Sequence, residues 1–180
     1  MEATTITVPS IVTERLILRC WQPADLAPYA AMNEDPETMA HLNGTMDHAA
    51  TERLVTHLIG MWHLRGFGMW AIELRQDGSF AGRAGLYQTS QWPDPEVAWS
   101  IRRDLWSQGL ATEAGAAVLR FGFTECGLDR IISLPSPDNT PSVRVAEKLG
   151  LSFEKIATVG PWKDSAIYAV SRKLWRGKRA

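Results

Sequence analysis

The sequence predicts an α+β fold, a mixed and mostly antiparallel sheet of about seven strands with helices on both faces. Short runs with period-two alternation are interrupted by runs with helical period, in the order β α α β β β α β α β β. The connection from Glu96 to Leu134 carries a helix, which is what a crossover between two parallel strands requires. At 180 residues the chain has the size of one domain with a proper core, and the whole of 1–180 reads as that domain.

Residues 1–12 show no clear periodicity and read as a loose arm. Arg15–Trp21 alternates Leu16, Leu18 and Cys20 against Arg15, Ile17 and Arg19, a first strand. Pro23–Asn33 reads as a short helix with Asp25 as its cap and Pro28 in its first turn. Asp35-Pro36 breaks it, a second helical turn runs to about Leu42, and Asn43-Gly44 is a turn. Asp47 then caps a longer helix, His48–Arg65, closed by Gly66, with Leu54, Leu58, Met61 and the stem of Arg65 on one side. Met69–Leu74 and Phe80–Tyr87 are strands joined at Asp77-Gly78; Gly82 and Gly85 inside the second predict close backbone approach or a bulge. Gln88–Pro95 is a loop centred on Trp92. Beyond the central segment, Arg130–Leu134 is a fifth strand, and Thr140 caps a helix that begins with Pro141 and ends before Gly150. Phe153–Val159 and Ile167–Leu174 make a last antiparallel pair around Gly160-Pro161.

The most informative stretch is Glu96–Thr112. Val97, Trp99 and Ile101 alternate as a half-buried strand, and from Leu110 the period becomes helical, with Leu110, Ala114, Ala117, Val118 and Phe121 on one stripe. Ser107-Gln108-Gly109 between them is a tight turn into a helix N-terminus. Such an end carries free N–H groups and the positive pole of the dipole, and a glycine lets a phosphate approach. Arg102 and Arg103 add positive charge just before it. A phosphate site and a plain structural turn both fit. Neither the G-x-x-x-x-G-K-[ST] nor the G-x-G-x-x-G pattern occurs.

Trp106-Ser107-Gln108-Gly109-Leu110-Ala111-Thr112-Glu113-Ala114 resembles the acyl-CoA pyrophosphate loop of the GNAT superfamily of N-acetyltransferases, most closely its RimJ/RimL branch. That branch typically reads W-G-x-G-x-A-T-E-A, so Ser107 replaces its first glycine. Asn139-Thr-Pro-Ser142 followed by Ala146-Glu147-Lys148-Leu149-Gly150 resembles the second CoA-contacting element, N-x-x-S…E-K-x-G. The likeness runs from Thr13-Glu14-Arg15-Leu16 to Trp175. It implies the GNAT fold, in which the fourth and fifth strands splay apart and the CoA arm lies in the gap. It also implies acetyl transfer from acetyl-CoA to a primary amine, by direct attack in a ternary complex. Cofactor contacts would fall on Ile101, Arg103, Gln108, Gly109, Leu110, Ala111, Thr112, Asn139 and Ser142.

The chemistry asks for few protein groups: a neutral amine, a donor for the oxyanion and help for the departing thiolate. Glu96 opens the central strand, where the family commonly has a carboxylate facing the acceptor. It is the candidate base, directly or through a water; the plainer reading is a solvated edge glutamate. Ser142, at the N-x-x-S position, is the candidate donor to the thiol or a cofactor contact only. Many GNAT enzymes place a tyrosine one turn on, where this chain has Ala146. The acceptor is a protein N-terminal α-amine, as the RimJ/RimL likeness favours, or a small-molecule amine. A catalytically silent acyl-CoA-binding sensor is the rival from another class.

Composition narrows the partners. A net charge of −1 gives no steering toward nucleic acid or membrane, and no apolar run reaches the ~20 residues of a membrane span. The basic end (Arg172, Lys173, Arg176, Lys178, Arg179) is short and reads as a solvated tail rather than an RNA-binding surface. His41, His48, His57 and His63 form no metal-ligand spacing, so no metal is expected. Cys20 and Cys126 read as buried thiols in a reducing cytoplasm, and most of the eight tryptophans as core. The oligomeric state, monomer or homodimer, stays open.

Overall fold

The computed structural model describes residues 7–42 and 44–177, with side chains through Trp175. The ends of the expected arm and basic tail, 1–6 and 178–180, and Asn43 of the Asn43-Gly44 turn lie outside the described residues. The strands are β1 (Ile11–Val12), β2 (Leu16–Arg19), β3 (Met69–Leu74), β4 (Phe80–Tyr87), β5 (Glu96–Ile101), β6 (Arg130–Ser133), β7 (Ser152–Val159) and β8 (Trp162–Ser171). The helices are α1 (Leu26–Glu34), α2 (His48–Arg65), α3 (Leu110–Thr124), α4 (Thr140–Lys148) and α5 (Arg172–Gly177). The sheet has eight strands in the order β1-β2-β3-β4-β5-β6-β8-β7, antiparallel except between β5 and β6.

The parallel pair is the feature that positions the site. Its ladder holds one register pair, Glu96 opposite Ile132, and Ile132 N–H donates to Pro95 O at 2.9 Å. β5 and β6 therefore part immediately, as expected of the fourth and fifth strands in the sequence count. The turns that follow them, into α3 and into α4, open at the same end of the sheet. α3 and α4 can approach because Gly115 has no side chain: a Cβ there would stand 2.6 Å from Leu149 Cδ1.

Each sheet face has its own core. Leu16, Leu18, Trp70, Ile72, Ala84, Leu86, Val97 and Ile101 pack with Leu110, Ala114, Ala117, Val118 and Phe123 of α3. The opposite face packs Met69 and Ala71 under Tyr29 and Met32 of α1 and Val55, Leu58 and Met61 of α2. α2 begins and ends where its signals placed it. Asp47 accepts from Ala50 N, and Gly66 takes the left-handed conformation after the last turn. Gly82 and Gly85 both mark close approach, since a Cβ would stand 2.1 Å from Ser100 O and 2.2 Å from Gly68 O, and the β3–β4 register also slips between Ile72 and Glu73.

Several local expectations are corrected. Ile11–Val12 is not loose but pairs with Leu18 and Ile17, while Trp70 Nε1 donates to Pro9 O. Asp25 does not cap α1: its carboxylate takes Gln22 N–H and a two-pronged ion pair with Arg19, which also holds Glu73. Residues 36–42 are turns rather than a helical turn. On α2 the buried stripe is Thr51, Val55, Leu58, Met61 and Trp62, and Arg65 is exposed. Asn139, not Thr140, caps α4, because its carboxamide oxygen reaches Ser142 N–H at 3.2 Å. β8 starts at Trp162 and stops at Ser171, where α5 takes over. Cys20 is exposed, lying just past β2; Cys126 is half-buried, and burial pushes its thiol up to about 11. Four tryptophans (21, 62, 70, 92) are buried, but Trp106 remains 44% exposed.

Candidate active site

The turn between β5 and α3 is built from the backbone outward. Arg103–Leu105 forms a single 3-10 turn, Ser107 takes φ 61° and Gly109 φ 80°, and α3 starts at Leu110. Gly109 caps α3 with no side chain, and its carbonyl accepts the first helical bond, from Glu113 N at 3.0 Å. Among the described residues, no protein group accepts from the N–H groups of Ser107 to Thr112. A row of free N–H groups at a helix N-terminus is suited to a pyrophosphate. The left-handed φ of Ser107 explains why the family puts glycine there. A serine in that conformation is strained by ~1–2 kcal/mol, partly offset by the entropy a glycine would cost. Ser107→Gly is therefore expected to raise the melting temperature by roughly 1–3 °C. A thermal scan showing no rise, or a fall, would contradict the strain argument.

The cations near this turn are not those the sequence suggested. Arg102 is taken up by Asp104 (2.7 and 2.9 Å) and by Phe80 O at 2.7 Å. Arg103 points its guanidinium at Asp35 (3.3 Å) and Glu37 (3.2 Å). The residue that reaches the turn is Arg15, from the loop before β2, whose Nη1 donates to Gln108 O at 2.8 Å. Glu113, in the first turn of α3, fixes Arg15 through Nε at 2.7 Å and backbone N–H at 2.8 Å, and accepts from Thr13 Oγ1 at 2.6 Å. Thr13, Arg15 and Glu113 belong to two stretches of the sequence resemblance, but their pairing across about a hundred residues has no local signal.

Ile101 closes β5, buried, and its carbonyl accepts Trp106 Nε1–H at 2.7 Å. Across the gap, Asn139 uses its oxygen as the α4 cap, while Ser142 is half-buried with a hydroxyl that no described residue engages. Ala146 is fully buried in the main core, so nothing one turn beyond Ser142 offers a donor.

At the closed end of the gap stands Glu96. Its Oε2 accepts from Trp92 Nε1 at 2.7 Å, and Trp92 is itself packed edge-on against Tyr87, ring centroids 4.9 Å apart. Burial pushes the Glu96 carboxyl up to about 7, although the Trp92 N–H, the Arg83 guanidinium and the Leu134 backbone N–H all favour its charged form. Glu96 is half-buried with its carboxyl bonded to Trp92, which sets it apart from a fully solvated edge residue. Tyr87 lies opposite it in the β4–β5 register, and His57 of α2 is 3.3 Å from the Tyr87 hydroxyl.

The acetyltransferase (GNAT) domain family matches residues 15–152. The chain belongs to the GNAT acetyltransferases. It is 32% identical over 167 residues to the uncharacterized protein YkkB of Bacillus subtilis, covering 88% of this chain and 93% of that one. It is also similar to the crystal structure of an acetyltransferase from Agrobacterium tumefaciens (TM-score 0.84, 27% identity, 94% of this chain and 98% of that one). RimJ from Mycobacterium smegmatis, solved with a CoA disulfide, shares the fold at TM-score 0.73 and 21% identity, covering 88% of this chain and 82% of that one. The GNAT fold and acetyl transfer to an amine follow from membership, and GNAT acetyltransferases use acetyl-CoA as donor. The sheet carries eight strands where the sequence suggested about seven. Among the described residues, no cluster of His, Cys, Asp or Glu could hold a metal, and no helix is long and apolar enough to cross a membrane.

Proposed function

We propose that this acetyltransferase moves the acetyl group of acetyl-CoA directly to a primary amine within a ternary complex, with Glu96 as the base. The observation that carries the reading is the placement of Glu96 where β5 and β6 part, its Oε2 held by Trp92 Nε1 at 2.7 Å, with burial pushing the carboxyl up to about 7. The amine nitrogen attacks the thioester carbon, Glu96 takes the proton the nitrogen loses, the C–S bond breaks, and the thiolate leaves as CoA. The N–H groups from Gln108 to Thr112 hold the pyrophosphate. Ile101 and the backbone of Arg103 line the arm as it leaves the turn, and Asn139 and Ser142 border it from α4. A protein N-terminal α-amine is the first acceptor to test, with small-molecule amines beside it. Turnover of acetyl-CoA over such a panel tests the reading; tight CoA binding with no transfer to any amine would make the protein a sensor instead.

Ser142 has a separable role. A neutral hydrogen bond that only seats the cofactor is worth ~0.5–1.5 kcal/mol, about tenfold at most, and its loss would appear in the KM for acetyl-CoA. A bond formed mainly to the developing thiolate is charge-assisted, worth ~1.5–3 kcal/mol, and its loss appears in kcat. With Ala146 buried where many GNAT enzymes carry a tyrosine, the second pattern is expected for Ser142→Ala. Steady-state kinetics check it: an altered KM beside an untouched kcat would leave Ser142 a cofactor contact.

A further inference from the structure

The sheet face under α1 and α2 carries a guanidinium, that of Arg83, which no described residue hydrogen-bonds or ion-pairs at contact distance. Directly paired residues of adjacent strands share a face, so the register places Ala71, Arg83 and Ser100 in one row. Met69, Gly85 and Ala98 form the next row, then Tyr87 with Glu96. Toward α1 and α2 the floor is sealed by Met69 and Ala71, both fully buried. Toward β5 it is made of small residues, Gly85, Ala98 and Ser100, the last two only half-buried. This face of β4 and β5 therefore runs from Glu96 at one end to Arg83 at the other, with only small side chains on β5 between them. Their Cα positions lie about four residues apart along the strands, roughly 13 Å, before either side chain reaches inward.

Arg83 is half-buried, and its Nε is fully buried with no hydrogen-bond acceptor. Among the described residues no carboxylate forms an ion pair with it and no carbonyl accepts from it. Three other half-buried arginines are tied down: Arg19 by Asp25 and Glu73, Arg102 by Asp104, Arg130 by Asp94 and Glu154. A guanidinium partly withdrawn from water, its buried Nε–H without an acceptor, is costly unless an anion completes it. Its planar fork matches a carboxylate. The titratable groups facing it are Glu96 and the Tyr87 phenol, which feel its field; no described residue hydrogen-bonds to it.

We propose that the acetyl acceptor is an amine carrying its own carboxylate, with the amine at Glu96 and the carboxylate on Arg83. This rests on Glu96 being the base of the reading above. Such an acceptor is a free amino acid or a peptide whose first residues include an acidic side chain; both present the same chemistry to Glu96 and Arg83. Neutral amines and polycations lack the group that Arg83 selects.

Matched acceptor pairs test it. One pair is L-glutamate against its α,γ-diamide; the other is an amidated peptide beginning Ser-Glu against Ser-Gln. Rates are expressed per concentration of unprotonated amine. The carboxylate member of one pair is expected to be preferred roughly 10–100-fold in kcat/KM, and the pair that shows it names the source. Arg83→Met should bring that ratio close to one through the KM of the carboxylate member; because the ratio is internal, any effect of the variant on Glu96 cancels. If Arg83→Met no longer binds acetyl-CoA, glutarate replaces it as the probe in the wild-type enzyme. Competitive inhibition against the acceptor supports the assignment, and no inhibition overturns it. Equal rates within both pairs, or a preference that survives Arg83→Met, overturns it while leaving acetyl transfer intact. Transfer to no amine at all removes the assignment together with the reading beneath it.

Discussion

Replacing Glu96 by glutamine is expected to lower kcat/KM by roughly 10²–10⁴-fold while acetyl-CoA still binds, because the variant keeps the shape and loses the proton acceptor. The pH dependence sharpens the expectation. With its carboxyl at about 7, Glu96 is mostly protonated below pH 6, so the wild-type rate should rise through neutrality as it ionises. The acceptor's own deprotonation also raises the rate, and rates normalised to free amine remove that contribution. What remains in the wild type is a limb near 7, and in Glu96→Gln that limb should vanish. Stability supplies an independent check. A carboxyl raised from 4.5 to about 7 on folding favours the folded state fully below 4.5, and that contribution is lost as the pH climbs through 7. At pH 8 the wild type therefore folds around a charge it would rather not bury. Glu96→Gln should be more stable there by roughly 1–3 kcal/mol, the gap closing toward pH 5. An inactive variant that is also less stable at pH 8 would point to simple structural damage, and a loss under tenfold would make Glu96 a bystander.

How far the sequence reaches into this structure depends on the range of the forces involved. α2, β3 and β4 were legible to the residue because their signals are local: Asp47 and Gly66 at the ends of the helix, Asp77-Gly78 at the hairpin. The start of β8 was not. Lys163, Asp164 and Ser165 carry no apolar alternation, and Pro161 reads as a breaker although it sits in a turn that pairs Val159 with Trp162. The α4 cap moved by one residue because Asn and Thr both qualify and only the packed geometry chooses Asn139. The turn into α3 was legible as a motif, yet the cation beside it was misplaced. Arg102 and Arg103 are adjacent to the turn in sequence, but Asp104, Asp35 and Glu37 neutralise them, and Arg15 arrives from the other side of the sheet order. Glu96 was singled out by the family resemblance, at the opening of its strand. Its raised pKa comes from burial, opposed by Trp92 and Arg83, and all three arise only in the assembled sheet.

Gly109→Val should weaken CoA binding roughly 100-fold or more. The reason lies in two peptide planes. Arg15 Nη1 holds Gln108 O at 2.8 Å, and in a trans peptide the following N–H, that of Gly109, must point the opposite way, off the protein and toward the ligand. The next carbonyl, of Gly109, is committed to Glu113 N–H in the first helical bond, which turns Leu110 N–H outward along the α3 axis. Both donors keep these directions only while residue 109 stays at φ 80°, a conformation a β-branched residue resists by ~1–3 kcal/mol. The surroundings do not yield easily, since Arg15 is itself fixed by Glu113, and Glu113 by Thr13. On the protein side there is room: a Cβ at 109 would meet only Arg15 Nη2, at an ordinary 3.6 Å. Valine should therefore fold but swing the peptide, forfeiting two hydrogen bonds to a charged group, each worth ~1.5–3 kcal/mol. Calorimetry with CoA reads the loss directly. Acetyl-pantetheine, which has no pyrophosphate, supplies the control: its kcat/KM should change little in the same variant. Equal damage to both donors would mean the turn shapes the active site as a whole rather than holding the pyrophosphate, and unchanged CoA affinity in a folded variant would remove Gly109 from the cofactor site.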